Sequence, residues 1–295
     1  MSAGLHDRLS ARIDAGEALA RADIEALAAS PDILTVGMLA DQARRRVFGS
    51  RTTYVRVADC PHDGPLGESV PLEAGEVRLT GTPVSVDTAL TAVRTAKAVA
   101  GTRPVSGFSL VELEALAGAA SFPSVLRDLR DAGLEMVAEV PLDAIPSPEA
   151  GIEALEGAGY TRIRLTIGRA AGSDRLALFE TARSLKARFP HIVAIDPLPH
   201  VMHALRPTTG YEDTKMVALA RLAAPNVRTV QVDWLRYGPK LAQVALTFGA
   251  DDLDHVSPDE SAPDGPRRSA VADVRRNIEA AGFEPAERDG RFDLR

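Results

Sequence analysis

The 295-residue chain is poor in cysteine and aromatic residues and has no surplus of positive charge. Its one cysteine, Cys60, cannot close an internal disulfide, and alone it cannot supply a Cys-only zinc or iron–sulfur site. A formal charge of −7 argues against a nucleic-acid partner, because a phosphate backbone demands a basic face. No apolar run reaches the roughly 18 residues of a membrane span. The stretch from Met1 to Asp14 is charged throughout and lacks the apolar core of a signal peptide, so the cytoplasm is the expected compartment. Neither GxGxxG nor GxxxxGKS nor GxSxG is present, which leaves no ordinary nucleotide loop and no nucleophile elbow.

What is present is a repeating alternation. Helical periodicity marks Leu5 to Ile13 and Ile33 to Val47. Short apolar, β-branched runs follow at Thr53 to Val57, Val105 to Phe108, Met136 to Val140, Ile163 to Ile167, Ile192 to Ile195 and Thr229 to Val232. Such runs suit strands buried on both faces. Between them lie amphipathic segments at Val86 to Val99, Leu110 to Leu116 with Val125 to Ala132, Glu149 to Ala158, Arg175 to Phe189, Asp213 to Ala223 and Lys240 to Phe248. Strand-then-helix alternation at this spacing predicts a parallel α/β barrel. Residues 1–50 read as a helical lead-in, 51–256 as the barrel, and 257–295 as a loop, a helix from Ser269 to Ala281 and a tail. The segment Asp59 to Pro83 breaks the rhythm with glycine and proline and suggests a hairpin around Val70 to Leu79.

The most specific stretch is Arg206-Pro-Thr-Thr-Gly-Tyr-Glu-Asp-Thr-Lys215, followed by Gly238-Pro-Lys-Leu-Ala-Gln-Val-Ala-Leu-Thr-Phe-Gly-Ala-Asp-Asp-Leu-Asp254. It resembles the radical S-adenosylmethionine (SAM) enzymes of the futalosine route to menaquinone, namely dehypoxanthine futalosine cyclase and aminofutalosine synthase, and their relative in deazaflavin (FO) synthesis. Gly37 to Gly49 with Tyr54-Val-Arg, Val125 to Leu134, and Arg275 to Arg288 extend the resemblance over nearly the whole chain. The resemblance implies a partial TIM barrel of the radical-SAM type. In that family the loop after the first strand carries CxxxCxxC, three thiolates that hold a [4Fe–4S] cluster. Here that loop, Ala58 to Pro83, offers Cys60 alone, and His62, Asp59 and Asp63 are harder ligands at other spacings. Loss of the cluster and of S-adenosylmethionine is therefore expected. The family's glycine-rich stretch is replaced by Glu135 to Pro141, and one βα unit is expected to be missing between Lys97 and Pro104, which shortens the barrel.

Several residues are candidates for ligand binding. Asp251, Asp252 and Asp254 follow Phe248-Gly-Ala at the last barrel strand, and could equally be solvated turn carboxylates. Thr208 and Thr209 either bind a ligand or cap the helix that holds Asp213. Lys240 and Gln243, three apart, share a helix face or a solvated edge. A second constellation, Asp196, His200 and His203, has the residue types of an open mononuclear site for a single divalent metal, or is ordinary loop polarity. The neighbours of Cys60, Asp59 and Asp63, would raise its thiol pKa and favour an inert role. Gly168 to Ser173 could receive an anion or form a plain βα turn. These readings imply a cluster-less binding or partner protein, associated with an active radical-SAM paralogue, another menaquinone-pathway enzyme or a nucleoside-like molecule. The alternative is a repurposed enzyme that uses the metal, or acid–base chemistry at Asp252 and Asp254. No catalytic residue and no cofactor is assigned.

Overall fold

The computed structural model describes residues 3–64, 70–118, 120–170, 172–201, 207–259 and 270–295. Helices α1 (Ala3–Asp14), α2 (Arg21–Ala29) and α3 (Ile33–Phe48) precede the first strand. The alternation then runs β1 (Arg51–Pro61), β2 (Glu76–Thr80), α4 (Val86–Ala100), β3 (Val105–Ser109), α5 (Leu110–Ala117), α6 (Phe122–Ala132), β4 (Leu134–Pro141), α7 (Pro148–Gly157) and β5 (Ile163–Ile167). It continues with α8 (Gly172–Arg188), β6 (Ile192–Pro199), α9 (Gly210–Ala223), β7 (Thr229–Asp233), α10 (Trp234–Leu246), β8 (Asp252–Val256), α11 (Val271–Ala280) and β9 (Glu284–Glu287).

Local chemistry explains many of these boundaries. Ser85 and Thr88 form a capping box at the start of α4, and Thr209 with Glu212 does the same for α9. Gly133, at φ 115°, ends α6 in the left-handed conformation that glycine adopts without penalty. Gly238, at φ 78°, breaks α10 just before Pro239, so Lys240 and Gln243 fall in its second segment.

Strands β1 to β8 pair in sequence order, all parallel, and β1 returns to pair with both β8 and β2. The expected (βα) barrel is present, but it is closed with eight strands and not shortened by a βα unit. The expected hairpin is replaced by β2, which lies parallel to the upper half of β1 from Val57↔Glu76 to Pro61↔Thr80. The lower half of β1, from Arg51 to Tyr54, is instead paired by the C-terminal strand β9.

The apolar core lies between the strands and the surrounding helices, where Leu126, Ile152, Leu155, Phe179, Val217 and Leu219 are fully buried. The lead-in helices belong to the same core. Arg44 of α3 is fully buried and donates to the carbonyls of Ala250 (3.0 Å), Gly49 (2.9 Å) and Arg51 (2.7 Å). No helix among the described residues is long and apolar enough to cross a membrane.

Candidate functional site

The barrel interior is filled by charge rather than by branched aliphatic layers. Arg78 of β2 grips Asp254 of β8 through two hydrogen bonds of 2.9 Å, and its Nε donates to Glu76 at 2.8 Å. Arg164 of β5 donates to the same Asp254 and to Gln231 of β7 (3.1 Å). Below them Gln231 donates to Asp252 at 2.6 Å, and Arg288, just beyond β9, holds Asp252 bidentately at 2.6 and 2.7 Å. Buried ions tolerate such a site only when fully paired, and three guanidiniums meet three carboxylates here. Burial alone would raise the Asp254 carboxyl, but Arg164 and Arg78 outweigh it and hold it well below the usual range.

Above this plug, at the C-terminal ends of the strands, lies a cavity of about 220 Å³. Barrel enzymes keep their chemistry on this face. A chain of alternating charges borders it. Asp59, at the end of β1, accepts from His255 Nε2 at 2.9 Å, and His255 Nδ1 lies 3.3 Å from Asp233 at the end of β7. Asp233 caps α10 and lies 3.6 Å from Arg236, which is 4.0 Å from Glu139 at the end of β4. Glu139 contacts His200 Nδ1 at 2.8 Å, and His200 Nε2 contacts Asp196 of β6 at 3.0 Å.

Each imidazole is thus sandwiched between two carboxylates. Burial would lower His255, but its bonds to Asp233 and Asp59 outweigh this and raise it to about 9. His200 is raised in the same way by Asp196 and Glu139. Burial opposes ionisation of Glu139, yet His200 and Arg236 bring it down to about 2. The rim is therefore an array of close carboxylate–imidazole and carboxylate–guanidinium contacts that favour the charged forms of His255, His200 and Glu139. Its most accessible charges are Asp59 and Glu139, with side chains 34% and 37% exposed. His255 adopts φ 61°, which a non-glycine residue occupies at a cost of about 1 kcal/mol, and such strain clusters at functional sites.

The structure distributes the residues expected from the sequence unevenly. Asp254 lines the cavity but is committed to two arginines, and Asp252 is sealed in the plug, so neither is free for acid–base work. Asp251 lies outside it, beside Arg221 and the amide of Val230 (2.8 Å), where burial raises its carboxyl to about 6. Thr209 is a helix cap, Thr208 donates to Asp213 at 3.0 Å, and Lys240 is exposed; none of these lines the cavity, and nor does Gln243. His200 has both ring nitrogens engaged by carboxylates, and Asp196 also accepts from the amide of Leu198, so this pair forms part of an ion chain rather than presenting lone pairs to a metal. His203 falls outside the described residues, and among those described no group of three such side chains could hold a metal ion.

The anion-receiving loop does hold an anion, but an internal one. The amides of Gly168, Arg169 and Ala170 converge on the Asp143 carboxylate at 2.6, 2.6 and 2.9 Å. Cys60 is buried among apolar side chains, and burial followed by the Asp59 charge pushes its thiol pKa up. A cluster site needs several accessible thiolates, and this environment does not fit one.

Residues 196–295 match the CofH/MqnC C-terminal region. That region runs from the second half of β6 through β9 and supplies Asp196, His200, Asp233, Arg236, Asp254, His255 and Arg288, so most of the rim and one side of the plug come from it. The resemblance of Thr208 to Asp254 to the menaquinone-pathway enzymes is upheld there. Aminodeoxyfutalosine synthase of Streptomyces coelicolor is 37% identical over 95 residues, covering 29% of this chain and 24% of that protein. Cyclic dehypoxanthine futalosine synthase of the same organism is 30% identical over 174 residues, 53% of this chain and 44% of that protein. The matched stretches thus span less than half of either relative. The FeFe-hydrogenase maturase HydG of Carboxydothermus hydrogenoformans shares the fold at 13% identity, with a TM-score of 0.66 over 95% of this chain and 79% of that one.

Asp59, Arg78, Glu112, Glu139, Arg164, Asp233 and Arg236 were not among the expected binding residues. Asp233 carries a usable signal, since it directly follows the apolar run Thr229 to Val232 and so falls on the mouth of the barrel.

Proposed function

We propose that this chain is a cluster-less barrel of radical-SAM ancestry that serves menaquinone-related metabolism as a binding or partner protein, with a small polar molecule held in the central cavity. The observation that carries the reading is the pairing of one buried cysteine with an intact, charge-lined barrel mouth. One thiolate cannot replace the three that the cluster chemistry requires, and the strand ends that would face a substrate carry polar side chains. The similarity to futalosine-pathway enzymes supports the metabolic assignment. In the cavity Arg236 offers donors while Glu112 and Glu139 offer acceptors, a set suited to a neutral or zwitterionic molecule rich in hydroxyl and amine groups.

Protein purified without oxygen should contain neither stoichiometric iron nor acid-labile sulfide, and should retain or co-purify with a nucleoside-like ligand or a menaquinone-pathway enzyme. Glu139→Gln should weaken ligand retention by about tenfold, as expected for loss of one charge-assisted hydrogen bond. Four irons with matching sulfide per chain would overturn the reading. So would native expression that yields no ligand and no partner.

A further inference from the structure

Next to the central cavity, and behind the Asp59–His255 pair, lies a second cleft of about 250 Å³ between the ends of β1, β7 and β8. We propose that it is a separate binding site for an amphipathic cation, a primary ammonium or guanidinium on an apolar body. This goes beyond the proposed central-cavity function, and of the cleft's lining residues His255 alone also lines the central cavity.

The walls of the cleft are apolar, built by Val57, Ala58, Pro71, Trp234 and Leu235. Its charged groups are Asp59, Asp259 and His255. Two carboxylates thus face one imidazolium, and that imidazolium is also shared with Asp233 on its far side. The balance is negative. Among the described residues no arginine or lysine lines the cleft, whereas three arginines line the central cavity. An anion would meet Asp259 and an Asp59 whose one counter-charge, His255, is shared with Asp233, while a cation can take the partly exposed Asp59 as a hydrogen-bonded partner and lay its apolar body on the wall. Trp234 is the sole tryptophan of the chain, and its buried indole N–H has no hydrogen-bond partner among the described residues.

Because Trp234 lines the cleft and not the central cavity, its fluorescence reports on this site. Phenethylamine, 2-phenylethanol and 3-phenylpropionate carry the same ring with positive, neutral and negative ends. Titration of the full chain should give a saturable Trp234 signal with phenethylamine, at least about tenfold weaker binding of 2-phenylethanol, and none with 3-phenylpropionate. Asp59→Asn, with its fold checked by circular dichroism, should abolish that preference. Equal response to all three probes, or no saturable response to phenethylamine, would overturn the proposal. Should Asp59→Asn not fold, the charge preference of the unaltered protein decides alone.

Discussion

His255 concentrates several constraints in one residue. It sits at the end of β8 in a left-handed backbone conformation and is held by Asp59 from β1 and Asp233 from β7, with Arg78 of β2 as the opposing charge. Its pKa is raised from 6.5 to about 9, so the protonated form stabilises the fold. That contribution is complete below the unfolded value and disappears as pH rises through about 9. The shift corresponds to at most roughly 3 kcal/mol. Urea midpoints should therefore fall between about pH 6.5 and about pH 10, and His255→Gln should flatten that fall. An unchanged slope in the variant would show that other groups carry it. The sequence made Asp254 visible because it lies in a recognisable stretch, but not its partners. Arg78 and Arg164 sit inside strands, where a lone charge reads as an exception until the facing strand is known.

At the scale of elements, β2 shows why the barrel reads as one unit short. Parallel strands normally present continuous apolar runs, yet Glu76-Val-Arg-Leu-Thr alternates, and its charges point inward to Ser106 and Asp254. Alternation of that kind reads as a half-exposed hairpin strand. Most other elements were legible because their burial follows the ordinary rule, with branched residues in the strands and apolar stripes on the helices. The C-terminal strand β9, whose sequence Glu-Pro-Ala-Glu has no strand signature, is recruited by pairing to β1. Beyond it Arg288 enters the plug. Arg288→Met should destabilise the protein by about 3 kcal/mol or more, since among the described residues Asp252 would keep only Thr53 and Gln231 as hydrogen-bond partners. Pairing that change with Asp252→Asn should recover much of the loss. Urea denaturation of the two single variants and the double variant reads the coupling, and strict additivity would show that the pair is not a unit.

For the whole molecule, the division into a lead-in, a barrel and a tail describes the order of the chain rather than its cooperativity. α3 packs on α9, Arg44 ties α3 to the start of β1 and to the turn before β8, and β9 completes the seam below β2. The charged plug joins β1, β2, β5, β7, β8 and the tail, so removing any one of these strands from the array leaves a buried charge exposed or unpaired. Such an arrangement has no low-cost partial state, because breaking one buried ion pair costs about 3–5 kcal/mol, a large share of a typical domain's stability. Calorimetry should accordingly show one transition, with calorimetric and van't Hoff enthalpies equal, and deletion of residues 1–50 should abolish it rather than shift it. Two resolved transitions, or a folded barrel without the lead-in helices, would instead mean that Arg44 and the α3 face are dispensable and that the barrel closes on its own.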